Sequence, residues 1–359
     1  MQVKVHELPD RRAMVGGLAY DAVHQCVWLG LGNSHDFVTR FDLSTSAFLA
    51  ESVGAQLEGW SYVHRSLVPM LDGRLYLGAS WVFGAKPRPE KPGPLSPGGF
   101  GAVLGLVRWM GGLLSKCKVM VRETDGTWKP FAEARTMAAD LAWDAVRRRL
   151  LRLSARGVTA FSEDGKTEEL VAASPGGFSH GLALGPAGEL VLVDGQGVAY
   201  LQDVKGGRIK LGSLADDDAT ARATPGIDAL VRVGDHFLVG GTRNRVRPFV
   251  IDLRVPALRV LPPVQTGPRA SAFAVSQSGK VYFAAGVGNV GLYRLDPEQG
   301  SVDALGQVTA NGVACHHLHD LVVTADGRLF GGEFYPLDVP QPPWPERDCY
   351  LWEMGPVPV

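Results

Sequence analysis

Residues 319–333 read HDLVVTADGRLFGGE: an apolar run, a turn at Asp326-Gly327-Arg328, and a second apolar run ending in small residues. Gly and Asp supply the positive φ that a tight hairpin needs, so the stretch reads as two antiparallel strands. The same phrase stands at 66–80 (SLVPMLDGRLYLGAS) and at 271–286 (SAFAVSQSGKVYFAAG). Their turns, Asp72-Gly73-Arg74 and Ser278-Gly279-Lys280, fall at equivalent points. Less regular copies begin at residue 17 (GLAYDAVHQCVWLGLG), 140 (DLAWDAVRRRLLRLS), 180 (HGLALGPAGELVLVDGQG) and 228 (DALVRVGDHFLVGGT). A third and a fourth short strand follow most of them, as FVTRFDL (37–43) and AFLAESV (47–53) follow the first.

Seven copies in 359 residues give a period of about fifty, within the range of propeller blades. One four-stranded sheet cannot bury both of its faces, but seven packed around an axis can. The expected fold is therefore all-β: a seven-bladed β-propeller of four-stranded antiparallel blades, one domain over 1–359. The seventh copy runs out after its third strand, CYLWEM (349–354), while VKVHEL (3–8) stands unassigned at the other end. The N-terminal strand is expected to complete the last blade and close the ring.

The 36 basic and 37 acidic side chains leave a net charge of −1. That balance lacks the clustered basic excess of a nucleic-acid-binding surface, so no nucleic-acid partner is expected. The start, MQVKVHELPDRRAMVGG, has no apolar core of a signal peptide. The expectation is a cytoplasmic protein, or a secreted one whose leader lies outside this sequence. Cys26, Cys117, Cys315 and Cys349 share no metal-site spacing. They read as reduced, buried thiols, with a Cys315–Cys349 bridge as the alternative.

Two stretches interrupt the repeat. Residues 84–99 (GAKPRPEKPGPLSPGG) form a Pro/Gly linker that leads into FGAVLGLVRWMGGLLSK (100–116), an apolar segment of helical length with basic ends. It is too short and too glycine-rich for a membrane span. Residues 84–116 are thus expected as a helical insertion in blade 2. The second interruption, YPLDVPQPPWPERD (335–348), carries prolines that forbid regular pairing. Both fall between second and third strands, so both rise from one face, in the two blades that flank blade 1. Such an accumulation of extra chain reads as a lid or binding wall, with residues 100–115 as a contact for a protein partner or a membrane surface.

On that face, the residues entering first strands and leaving second strands should meet at the mouth of the channel. Entering are His64, Arg65, Asp140, His180, Asp228, Arg269, and His316, His317 and His319; leaving are His35, Trp81, Arg243, Glu333 and Tyr335. Neighbouring strand positions point to opposite faces, so His317 and His319 are the pair expected to share a target. Each candidate has a structural alternative: His64 as a hydrogen-bonded core residue, Asp140 and Asp228 as caps on turn amides. As chemistry, His180, His317, His319 and Tyr335 would transfer protons, and Arg243 would grip a carboxylate. His64, Arg65, Trp81, Asp140, Asp228, Arg269 and His35 would bind the substrate. His180, His317 and Glu333 would suit a divalent metal such as zinc, manganese or calcium. No nucleotide cofactor is expected, because no phosphate-loop or dinucleotide fingerprint occurs in a strand-to-helix context.

The phrases GLYRLDPEQGSVDALG (291–306) and HDLVVTADGRLFGGE resemble those of bacterial and fungal seven-bladed propellers, including polysaccharide lyases acting on uronate-containing glycans. The resemblance implies channel-mouth His, Tyr and Arg residues at work, often beside a bound metal; His180, His317, His319, Arg243 and Tyr335 are the matching residue types here. The functional expectation is a lyase that performs β-elimination next to a carboxylate, with a small-molecule or oligosaccharide substrate. Two alternatives stand beside it: a non-catalytic scaffold that docks a protein or membrane through the apolar insertion, and an enzyme for an apolar metabolite with the insertion as its lid.

Overall fold

The computed structural model describes residues 1–10, 13–32, 34–60, 62–82, 115–154, 156–173, 181–194, 196–214, 227–242, 247–264, 272–334 and 348–358. Strand β1 (Gln2–Glu7) opens the chain. Blade 1 follows with β2 (Met14–Asp21), β3 (Cys26–Gly32), β4 (Val38–Asp42) and β5 (Ala47–Ala50), then a 3₁₀ turn at Gly54–Leu57. Blade 2 is β6 (Tyr62–Pro69), β7 (Leu75–Val82), β8 (Ser115–Arg122) and β9 (Trp128–Ala134); blade 3 is β10 (Asp140–Asp144), β11 (Arg149–Ser154), β12 (Gly157–Phe161) and β13 (Glu168–Ala173). Blade 4 holds β14 (Leu190–Val193), β15 (Val198–Gln202) and β16 (Arg208–Ser213). Blade 5 is β17 (Ile227–Val233), β18 (Phe237–Thr242), β19 (Pro248–Asp252) and β20 (Ala257–Val260). Blade 6 is β21 (Ala272–Val275), β22 (Val281–Ala285), β23 (Gly291–Asp296) and β24 (Ser301–Gln307), followed by a small hairpin of β25 (Thr309–Ala310) and β26 (Val313–Ala314). Blade 7 has β27 (Leu318–Val323), β28 (Leu329–Glu333) and β29 (Tyr350–Gly355). Its fourth strand is β1, antiparallel to β29 from Gln2↔Gly355 to Glu7↔Tyr350, so the expected closure is observed.

Hairpin chemistry fixes the blades locally. Gly73, Gly279 and Gly327 sit at φ +87°, +76° and +80° in the three turns that define the repeat, a region L side chains rarely adopt. Packing then fixes the ring. The buried apolar residues fall into seven clusters, one between each pair of neighbouring blades. Alternation along a strand supplies two seams at once: in β3, Val27, Leu29 and Leu31 face blade 7 while Cys26 and Trp28 face blade 2. That two-sided burial is why β3 (CVWLGLG) is apolar along its whole length and buried at every position.

Two expectations change. Blade 4 lacks a regular innermost strand: HGLALGPAG reads as one, yet its ladder to the next strand is reduced to the single bridge Leu184↔Leu190. Pro186 has no N–H to give, and a turn from Gly185 to Gly188 consumes the remaining length. Ser115 and Lys116 belong to β8 rather than to an insertion. The rest of the expected helical segment, 84–114, lies outside the described residues, among which no α-helix occurs. Cys26, Cys117, Cys315 and Cys349 are buried thiols outside any disulfide, as expected, and the alternative Cys315–Cys349 bridge is not formed.

Candidate functional site

The innermost strands line the axis, and four of them break their pairing at the same level. The ladder slips between Val15 and Gly17 in β2, Val63 and Leu67 in β6, Ile227 and Ala229 in β17, and Leu318 and Asp320 in β27. Such bulges re-aim side chains that regular pleating would send into a seam. The residues freed by them are Gly16, His64 to Ser66, Asp228 and His319, of which His64, Arg65, Asp228 and His319 were singled out by sequence. Glycine allows the strands to approach: a Cβ on Gly17 would stand 2.7 Å from the His64 carbonyl oxygen, and one on Gly181 would stand 2.4 Å from the Leu230 nitrogen.

Arg65 crosses the axis. Its Nη1 donates to the main-chain oxygen of Asp228 in blade 5, and its Nη2 donates at 2.8 Å to that of His319 in blade 7. Asp140 pairs with Arg65 in register as a parallel neighbour. The Asp140 carboxylate accepts the amides of Leu141 and Leu182, each at 2.8 Å, and so ties blade 3 to blade 4. Asp320 does the same between blades 7 and 1, accepting Leu321 N at 3.0 Å and Leu18 N at 2.8 Å. Burial pushes Asp140 well above the usual carboxylate range, and pushes Asp320 up to about 6, against the pull of Arg65 in both cases. Sequence reading passed over Asp320. The signal was there, since Asp140-Leu141 and Asp320-Leu321 occupy the same phase of the repeat.

Beside this ring the histidines gather. The His64 and His319 rings meet edge to face with centroids 4.7 Å apart, and His317 lies 6.0 Å from His319. Phe334 closes against His319 at 4.8 Å, and Tyr62 lies 6.2 Å from His64. His317, His319 and His64 are only 1%, 3% and 6% exposed. The Nδ1 of His64 donates to the Ala139 carbonyl at 2.6 Å, which fixes its proton on that nitrogen. Glu333 is fully buried: one oxygen accepts the His316 amide at 2.8 Å and the other the Trp352 indole at 3.2 Å. Contacts thus link Arg65 to Asp140, Asp228 and His319, His64 to His319, and His319 to His317, while Glu333 stands apart on the His316 amide and the Trp352 indole. Trp81 is half-buried in β7 opposite Lys116, and His35 is exposed on the connection between β3 and β4. His180, Arg243, Arg269 and Tyr335 lie outside the described residues. Among the described residues, no three His, Cys, Asp or Glu side chains stand together as a metal-binding group. Of the expected metal ligands, Glu333 has both oxygens engaged by donors of the fold.

Two open clefts lie at the opposite end of blade 3. One of about 470 Å³ runs between the β10–β11 and β12–β13 turns, and one of about 320 Å³ runs along the seam with blade 4. They share Arg147 and Arg149, and both guanidiniums are turned onto Asp144, at 2.9 and 3.3 Å.

No family model matches this chain, and no curated protein matches it in sequence. Solved structures match its fold. The β-propeller domain of Cps50 (Swd1) from Myceliophteria thermophila is 12% identical, with a TM-score of 0.58 over 98% of this chain and 99% of that one. The structure of U3-55K is 13% identical, with a TM-score of 0.61 over 98% and 97%. The extracellular domain of a protein described as a hybrid two component system from B. thetaiotaomicron is 10% identical, with a TM-score of 0.58. This chain is covered there to 97% but spans only 40% of the matched chain. At such identities the likeness carries the β-propeller fold alone; none of these three is described as a lyase.

Proposed function

We propose that this protein is a propeller scaffold that binds a protein partner on the face carrying its long connections. One observation supports a binding role over catalysis at the channel mouth: three of the groups expected to hold a substrate or a metal there, Arg65, His64 and Glu333, are engaged inside the fold. Arg65 holds main-chain carbonyls of two other blades, His64 holds that of Ala139, and Glu333 holds an amide and an indole. Each is buried, so freeing one for a substrate would leave a desolvated partner behind, at a cost of about 1–3 kcal/mol apiece. The binding face follows from register. Val82 pairs with Ser115 across blade 2, and Gly332 with Leu351 across blade 7, so residues 83–114 and 334–349 leave and return at the rim around blade 1. Within the first of these, the sequence FGAVLGLVRWMGGLL is rich in the apolar side chains that a docking contact would use.

Replacing residues 83–114 with a short Gly-Ser turn from Val82 to Ser115 tests this reading. The variant is expected to melt with the wild-type protein and to lose its partner in quantitative crosslinking capture. An unchanged set of captured proteins, or binding to neutral phospholipid vesicles that the replacement abolishes, would overturn it.

A second reading, β-elimination on a uronate-containing saccharide, rests on three imidazoles whose rings follow one another within 6.0 Å. Its test is the appearance of unsaturated uronate product from such glycans. The activity should vanish in His317→Ala and His319→Ala variants that still fold.

A further inference from the structure

The end of the propeller opposite the long connections carries a surface that neither reading uses. On it lie the turns that join the first and second strands of the blades. In blades 1, 2 and 3 each such turn holds one aliphatic side chain out: Val23 is 50% exposed, Leu71 94% and Val146 58%. The corresponding turns of blades 5, 6 and 7, at 234–236, 276–279 and 324–327, carry no exposed large apolar side chain among the described residues. The three tips are fixed by their own turns. Asp21 accepts the amides of Val23 and His24 at 2.9 and 3.0 Å, Asp72 that of Arg74 at 3.1 Å, and Asp144 that of Arg147 at 3.1 Å. They also stand on packed neighbours. A Cβ on Gly73 would lie 3.7 Å from the Val23 side chain, and Tyr76 and Trp143 stack across the seam between blades 2 and 3 with centroids 6.1 Å apart. Aliphatic groups held in water on three adjacent blades mark an interface.

Charge decides what covers it. Beside the Val146 tip lies the cleft of about 470 Å³, whose charged walls are Arg147, Arg148, Arg149, Glu163, Glu168 and Glu169. Four of these six are spent within the chain: Arg147 and Arg149 on Asp144, Arg149 also on Glu169, and Glu168 on Arg152. Arg148 and Glu163 are exposed, and neither makes an ion pair or a hydrogen bond among the described residues. A strongly acidic or basic partner would satisfy one of them and set a like charge against the other. A surface with one free charge of each sign beside an apolar patch is complementary to itself. We propose that two copies of this chain pair back to back about a two-fold axis on this end, with the tips of Val23, Leu71 and Val146 packed together and Arg148 of each copy set on Glu163 of the other. The two-fold makes both ion pairs at once. It also turns the two rims that carry the long connections away from each other. With the partner-binding reading of that rim, the dimer is bivalent; the pairing itself does not depend on that reading.

Sedimentation equilibrium of the full chain tests this. The wild-type protein is expected to be a dimer at micromolar concentration. Leu71→Asp and Arg148→Glu, both at exposed positions, should each weaken association at least about tenfold and leave the circular dichroism spectrum unchanged. Arg148→Glu and Glu163→Arg should each be monomeric alone and should pair when mixed, because the mixture restores both ion pairs with their signs exchanged. A wild type that stays monomeric, a dimer that survives Leu71→Asp and Arg148→Glu, or a mixture no more associated than its components would overturn the proposal. So would a monomeric wild type whose captured proteins change with Arg148→Glu, since the face would then belong to a different partner. Replacing residues 83–114 with the short turn separates this proposal from the partner-binding reading: the shortened chain should remain a dimer whether or not it loses its partner. Loss of the dimer in that variant would place the contact on the other face and overturn the back-to-back pairing.

Discussion

Arg65 and His319 are joined across the propeller axis: Nη2 of the first donates to the main-chain oxygen of the second at 2.8 Å, although blade 1 stands between their blades. A side chain of blade 2 thereby holds the backbone of blade 7 at the point where β27 bulges. The contact spans 254 residues, and the parallel one to Asp228 spans 163. Both depend on the ring being closed.

Replacing Arg65 with Met should therefore cost much of the stability of the ring. The oxygens of Asp228 and His319 would stay buried without this donor, and the expected loss is about 3 kcal/mol. Arg65→Lys should recover less than half of it, because an ammonium lacks the planar fork that reaches two carbonyls at once. The midpoint of urea unfolding measures both.

Glu333 and Trp352 make a second buried pair, with carboxylate and indole 3.2 Å apart. Trp352→Phe removes the donor and keeps most of the apolar volume, so a loss of about 1–3 kcal/mol is expected, read as a lower melting temperature. Partner capture by the surviving folded fraction should be unchanged.

The thiols should be inert in the native state. Burial pushes both Cys26 and Cys117 up to about 12, so the reactive thiolate is scarce at neutral pH. A thiol reagent is expected to label none of the four cysteines quickly in buffer and all four in denaturant. Rapid labelling of either residue in the folded protein would contradict the packing of its seam.

Removing residues 1–8 should unfasten blade 7. The deletion strips β29 of its outer partner along six residue pairs and exposes a new sheet edge, so a lower melting temperature and aggregation are expected. His6→Ala is the milder comparison: the His6–Glu353 contact at 2.8 Å is part-buried, and its loss should cost about 1–3 kcal/mol while leaving the β1–β29 ladder in place.

The fold was legible because its determinants are local. Turn glycines at 73, 279 and 327 mark the hairpins, two-sided apolar strands mark the seams, and the spare strand at the start of the chain marks the closure. Blade 4 misled because HGLALGPAG carries the apolar pattern of an inner strand, while the turn around Pro186 leaves it one bridge. The candidate site was legible only as a set of residues. Position in the repeat pointed to His64, Arg65, Asp140, Asp228, His317 and His319, which contacts in the fold link to one another. What each does there depends on bulges and on partners in remote blades, neither of which has a signature in nearby sequence. Asp320 could have been singled out by its match to Asp140 in the repeat, but its tie to Leu18, 302 positions away, has no local sign.

The pairing of β1 with β29 also sets an order of events during synthesis. Of the strands described, the one made earliest pairs with the one made latest. Until Tyr350–Gly355 appears, Gln2–Glu7 has no ladder to join, and blade 7 cannot be completed. Six sheets must wait, stacked in an open arc with one apolar flank uncovered at each end, for the tail that turns the arc into a circle.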